Sequence, residues 1–217
     1  MISQDDFRER DEWSDPQVSR YGWRDRIPFG LPVSYSGLIL LICVIVYFLS
    51  LIAPGFVYGF LALNPDYLMQ RPWTLVTHMF VHASFDHLLF NMLFLFFFGM
   101  ELERRVGERR FLEIYLLSGV VAAVGQMLIS GGSMVGASGA LYGVMGCLAV
   151  IAPEIRVLLF FVIPLSIRAS VVLFALLDFM MIGSADNIAH MAHISGLLVG
   201  LAFGQMMKKQ PTYYYNI

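Results

Sequence analysis

The sequence predicts an all-α polytopic membrane protein, a bundle of six transmembrane helices with both termini in the cytosol. Three observations carry that expectation. Hydrophobic residues fill 58% of the 217 positions and charged residues 14%, at a mean hydropathy of +0.70; an ordinary water-soluble domain is about a quarter charged. Apolar runs long enough, or nearly long enough, to cross a hydrocarbon core alternate with charged or turn-rich segments. With the N-terminus inside, every one of the 14 Lys and Arg residues except Arg71 falls on the inner side. Shifting the count by one span scatters those charges over both sides.

Residues 1–36 form a polar tail in which acidic and basic residues alternate around Trp13, Tyr21 and Trp23. With no apolar run, and with acids among its arginines, it is neither a signal peptide nor a transit peptide. The first span is expected at 37–53 and is stopped by Pro54-Gly55. Residues 54–72 mix Phe56, Tyr58, Phe60 and Tyr67 with Asn64-Pro65-Asp66 and Arg71-Pro72, a composition suited to the headgroup level. The second span covers about 85–100, with a possible earlier start near Trp73, and a charged turn from Glu101 to Arg110 follows. The third is expected at 111–129, and the fourth runs from the Gly136-Ala137-Ser138-Gly139 stretch to about Ala152-Pro153. Residues 157–163 are too short to span and are cut by Pro164, so they read as a loop or interfacial piece. The fifth span is expected at 167–182 and the sixth at 188–207. The domain division is therefore a tail (1–36), a membrane domain (37–207) and a short C-terminal tail (208–217).

A net charge of −2 gives no reason to expect a nucleic-acid partner. Cys43 and Cys147 both lie in apolar runs and read as small buried hydrophobes. No cofactor and no metal site is expected. The lipid bilayer is the one partner that composition implies, and oligomeric state is not legible.

The five histidines fall in two short segments. His78, His82 and His87 surround the start of the second span, and His190 and His193 that of the sixth. Spans two, four and six all run from outside to inside, so their starts share one depth. His87 and Asn91, four residues apart, share a helix face. Ser138 opens span four. Three helices thus bring Ser138, His193, His87 and Asn91 to one level, roughly 10 Å below the outer surface by helical rise. Polar groups at that depth are unfavourable by roughly a few kcal/mol unless they pair or line a wet cavity. Gly196, Gly200 and Gly204 follow His193 at helical spacing, and Gly139, Gly143 and Gly146 follow Ser138. Small-residue stripes of this kind permit close helix approach in membranes. Packing the two stripes sets His193 beside Ser138, with Tyr142 one turn below the serine and against the imidazole.

A serine becomes nucleophilic when a neutral imidazole lies within hydrogen-bond reach. The oxyanion formed by attack on a peptide carbonyl needs fixed donors, which His87, the Asn91 amide and the Ser138 backbone N–H are placed to supply. No acidic residue is expected to complete a triad, with Asp178 inside span five and Asp186 in a loop two turns before His193. The expectation is a Ser138–His193 dyad in which Tyr142 orients the base. His82 and His190 are read as supporting neighbours rather than direct participants, and His78 as structural.

These residues resemble the rhomboid family of intramembrane serine proteases. Gly136-Ala137-Ser138-Gly139 matches its Gly-x-Ser-Gly motif. The run from Ala192 through His193 and Gly196 to Gly200 matches Ala-His-x-x-Gly-x-x-x-Gly, which selects His193 rather than His190. His82 to His87 and Asn91 match the second-helix motif that serves the oxyanion, and Glu103-Arg104-Arg105-Val106-Gly107 resembles the Glu-x-Arg-x-Gly turn. The resemblance covers about residues 37–207. In the first outer loop, where the family often has Trp-Arg, this chain has Trp73-Thr74. The resemblance implies a six-helix rhomboid-like bundle in the cell membrane. It implies cleavage of membrane proteins with a single transmembrane segment, near the outer leaflet, with entry beside span five and residues 183–189 as a lid.

Three rivals are weaker. A metal-dependent protease calls for His-Glu-x-x-His on a helix, which the chain lacks. A haem carrier calls for facing histidines and leaves the Gly-Ser motif unexplained. A non-catalytic rhomboid-like protein that binds client transmembrane helices is the best alternative, but such relatives typically lack the serine or the histidine. Ser138 as a mere helix cap is the bland reading of the central stretch.

Overall fold

The structure, a computed structural model, describes residues 34–129, 131–159, 162–184 and 188–208. The tail expected at 1–36 lies outside the described residues except for its last three positions, and the C-terminal tail except for Lys208. The described chain is mostly helical. Its long elements are α1 (Tyr35–Ile52), α2 (Phe85–Val106), α3 (Glu108–Ile129), α4 (Ser138–Ile151), α5 (Ile167–Met180) and α6 (His190–Lys208). Of these, α1, α2 and α3 are long and apolar enough to cross a membrane, and α4 is a shorter apolar helix.

Each boundary has a local cause. The Ser34 hydroxyl accepts from the Gly37 amide at 3.0 Å and starts α1; Pro54 follows its end. Ser84 caps α2 by accepting from the His87 N–H at 3.2 Å, so the earlier start near Trp73 is not taken. Residues Thr74–Thr77 instead make a separate helical turn. At its far end α2 continues past Met100 through the charged residues, because Glu101 pairs with Arg104 and Arg105 on the helix surface at 2.8 and 2.6 Å. Gly107, at φ 82°, ends it in a conformation that favours glycine. Within α2, residues Leu95–Gly99 widen to a π-type turn.

Of the residues 157–163 expected as a loop or interfacial piece, 157–159 and 163 lie in two paired antiparallel strands. Strand β1 (Arg156–Leu159) pairs with β2 (Ile163–Ser166), Arg156 opposite Ser166 and Leu159 opposite Ile163. Pro164 is tolerated because a two-stranded ribbon consists only of edges. The Ser166 hydroxyl then accepts from Ala169 N–H and starts α5.

Helix α4 sits at the centre. Every residue from 139 to 150 except Tyr142 is buried. At 14 residues it is about 21 Å long, shorter than a hydrocarbon core of about 30 Å. By contrast α1 buries only Ser36, Ile39, Cys43 and Ser50, leaving Leu41, Ile45, Phe48 and Ile52 exposed. Such an apolar exterior suits lipid rather than water. Cys43 and Cys147 are both buried and free.

The first helix is tied to the second by a buried carboxylate. Glu103 accepts from the Tyr35 and Ser36 amides at 2.7 and 2.9 Å and from the Ser36 hydroxyl. Hydrogen bonds to an ionised group contribute about 1.5–3 kcal/mol each, and stranding their donors adds a desolvation cost. Glu103→Gln, which loses charge and one acceptor, is expected to destabilise the bundle by about 2–3 kcal/mol. A lower thermal midpoint in detergent checks this, with Arg104→Gln, on an exposed surface pair, as the near-neutral comparison.

Candidate active site

The site is built where α4 and α6 approach most closely. A methyl group placed on Gly196 or Gly200 of α6 would run into the carbonyl oxygens of Gly139 and Gly143 of α4. Gly146 faces the Leu197 carbonyl, which a methyl there would meet at 2.7 Å, and Gly204 faces the Cys147 carbonyl and Val150. The two glycine stripes therefore pack against each other along their length, as their spacing predicts.

That contact sets Ser138, the first residue of α4, against His193 in the first turn of α6. His193 Nε2 lies 2.8 Å from Ser138 Oγ, hydrogen-bond distance for a proton transfer. The hydroxyl is thus engaged with another helix rather than with its own backbone, and α4 has no side-chain cap bond. Tyr142 lies flat on the imidazole, ring centroids 4.3 Å apart at 8°.

The loop before Ser138 is held from two sides. Leu63 and Met134 exchange backbone hydrogen bonds of 3.0 and 2.8 Å, and Gly136 N–H donates to the His78 carbonyl at 2.9 Å. Gly136 has φ 113°, and a side chain there would meet the His87 ring at 2.6 Å. Glycine is required twice over, for the backbone and for the imidazole lying on it. The first intrahelical bond of α4 runs from Leu141 N–H to the Ala137 carbonyl. The amides of Ser138, Gly139 and Ala140 have no acceptor within the helix, which makes the start of α4 a donor site for negative charge.

His87 and Asn91 share one face of α2 as their spacing requires. Asn91 Nδ2 donates to the His87 carbonyl at 2.7 Å, leaving one amide hydrogen uncommitted to that bond. Its Oδ1 is buried with no hydrogen-bond partner among the described residues. His82 is fully buried and meets His87 edge-on, centroids 5.1 Å apart. His78 bonds through Nδ1 to the Thr74 carbonyl at 2.8 Å, a structural contact.

One expectation is overturned. Asp178 does reach the imidazole, its Oδ1 lying 2.9 Å from His193 Nδ1 and 2.7 Å from His190 Nδ1. The cause lies in the fifth helix. Ile167, Ser170, Val171 and Asp178 all point into the protein, and Asp178 sits in the last turn, level with the start of α6. A carboxylate within an apolar run was the signal available, since such residues are unfavourable in lipid unless partnered. Besides Asp178, His190 reaches the Ser184 hydroxyl, 3.4 Å from its Nε2. Asp186 lies outside the described residues, as do 185–187 of the expected lid. Asp178, His190 and His193 offer donor atoms within 4.8 Å of one another, close enough to hold a metal ion, although hydrogen bonds already join those same atoms.

The residues that meet here carry the family pattern, and comparison with known proteins agrees. The family model for the Rhomboid domain matches residues 69–210. The chain is similar to the rhomboid protease GlpG of Yersinia pestis (strain Pestoides F), 33% identical over 169 residues, covering 75% of this chain and 59% of that protein. It is similar to the rhomboid protease GlpG of Yersinia enterocolitica serotype O:8 / biotype 1B, 32% identical over 170 residues with the same coverage. The chain spans about three-fifths of the length of these curated relatives. With the family model laid over most of the sequence and the glycine stripes packed around a serine and a histidine, the chain belongs to the rhomboid family.

Proposed function

We propose that the protein is an intramembrane serine endopeptidase that cleaves membrane proteins with a single transmembrane segment, near the outer leaflet. The observation that carries the reading is the 2.8 Å contact between Ser138 Oγ and His193 Nε2 at the start of a buried helix. Ser138 attacks the scissile carbonyl while His193 takes its proton, then returns it to the leaving amine. His87, Asn91 and the Ser138 amide bind the oxyanion, and Tyr142 fixes the plane of the base. Removing one such donor typically lowers the rate by about 10²–10³. In this reading all six long helices span the cell membrane, both termini are cytosolic, and residues 37–207 are the protease domain. The positive-inside distribution of Lys and Arg supports that orientation.

The family names of the relatives add weight, since both are rhomboid proteases. The alternative, a rhomboid-like protein that binds client helices without cutting them, gives no use to a histidine held on a serine hydroxyl. Reconstitution in liposomes with a single-span substrate separates the two. Two fragments, cut within or just outside the outer half of the segment, support the protease; bound but intact substrate overturns it.

A further inference from the structure

We propose that Asp178 is a positioning residue of this site, whose carboxylate holds His193 as the Nδ1–H tautomer and so leaves Nε2 bare toward Ser138. The inference rests on reading Ser138 as nucleophile and His193 as its base, and it replaces the two-residue expectation with three aligned residues from three helices.

The geometry is specific. Asp178 is 5% exposed, and its two histidine neighbours are similarly buried. Its Oδ1 lies 2.9 Å from His193 Nδ1, and an ionised carboxylate only accepts hydrogen bonds. The proton of the neutral imidazole must therefore sit on Nδ1. Nε2, 2.8 Å from Ser138 Oγ, then has its lone pair available. The opposite tautomer would present an N–H to the hydroxyl and remove the base. His190 donates to the same oxygen at 2.7 Å, which holds the carboxylate in place from a second direction. Tyr142 restrains the ring face, so His193 is fixed at both nitrogens and over its plane.

Burial supports the same role. A carboxylate out of water is costly unless paired and hydrogen-bonded, and this one is directed at the imidazole that hydrogen-bonds to Ser138. During attack the Ser138 proton moves to His193 Nε2 as Oγ bonds to the carbonyl carbon. The Nδ1 proton stays on nitrogen, and the imidazolium charge faces Asp178. When the C–N bond breaks, the Nε2 proton goes to the leaving amine, and neutral His193 is restored.

The test uses the full chain in liposomes. Asp178→Asn is expected to lower kcat by about 10²–10⁴-fold, the range seen when the carboxylate of a serine-hydrolase triad is neutralised. KM should stay within about threefold, because substrate binding is not touched. Asp178→Glu should recover part of the lost rate. In ¹⁵N-histidine NMR, the unsubstituted protein should show His193 protonated at Nδ1, and Asp178→Asn should shift it toward Nε2–H. A kcat within about twofold of the unsubstituted protein overturns the inference. So does an Nε2–H tautomer in the unsubstituted protein, a measurement that needs no variant to fold. Ser138→Ala keeps the two readings apart. If it remains active, the nucleophile reading itself fails. If it is inactive while Asp178→Asn is fully active, only the role of Asp178 fails.

Discussion

Ser138→Ala is expected to reduce cleavage of a single-span substrate to background, a loss of about 10⁴-fold or more. The thermal midpoint should be unchanged within error. Among the described residues the hydroxyl makes one hydrogen bond, the 2.8 Å bond to His193, and α4 takes no side-chain cap bond from it. Removing the oxygen therefore deletes the nucleophile without uncapping the helix. His193→Ala should do the same to activity. It should also lose some stability, because Tyr142 loses its stacked partner and Asp178 loses one of its donors. The losses are not additive when both are changed, since the pair acts as a unit. Cleavage retained in either variant is incompatible with this account.

The second large effect is structural. Gly200→Val is expected to unfold the bundle or, at the least, to lower activity by about 10²-fold, although Gly200 lies two turns from His193. Any side chain at this position runs into the Gly143 carbonyl, which is backbone on a buried helix and has nowhere to move. Overpacking of this kind commonly costs about 1–3 kcal/mol. Even where the fold survives, α6 must back away from α4, and a displacement of about 1 Å at reacting groups is enough for a 10²-fold loss. Gly55→Ala, where a methyl meets nothing within 4 Å, is the matched control and should be silent. Thermal unfolding in detergent together with cleavage rates separates the two modes. Equal stability and activity for Gly200→Val and Gly55→Ala would remove the glycine stripes from the explanation.

Much of the site was legible because its parts obey helical spacing. Gly139, Gly143 and Gly146 on one run and Gly196, Gly200 and Gly204 on another define two faces that can touch, and the touch places Ser138, His193 and Tyr142 without further information. His87 and Asn91 follow from a separation of four. Asp178 was not found by the same means. Spacing along a chain orders residues on one helix, whereas its contact with His193 joins the end of α5 to the start of α6 across a loop. Alternation of sides puts the end of the fifth span at the level where the sixth is expected to begin. What it lacked was the rotation of α5, which follows from the buried set Ile167, Ser170 and Val171.

The departures in the fold have similar origins. Helix α2 runs on through Glu101 and Arg105 because charged residues that pair along a helix end do not stop it. Strands β1 and β2, at four residues each, are too short to announce themselves, and Pro164 reads in the sequence as a break. Thr74, where the family often has arginine, turns its hydroxyl to the Arg71 carbonyl at 2.7 Å. Arg71 lies over the rings of Phe60 and Tyr67 at 4.9 and 5.1 Å.

The central claim is that His193 makes the Ser138 hydroxyl nucleophilic, and covalent capture tests it most directly. A serine-reactive phosphonate applied to the full chain in liposomes should form one adduct, located at Ser138 by peptide mass spectrometry and absent from His193→Ala. An adduct on another residue, or labelling of Ser138 undiminished in His193→Ala, would contradict the account.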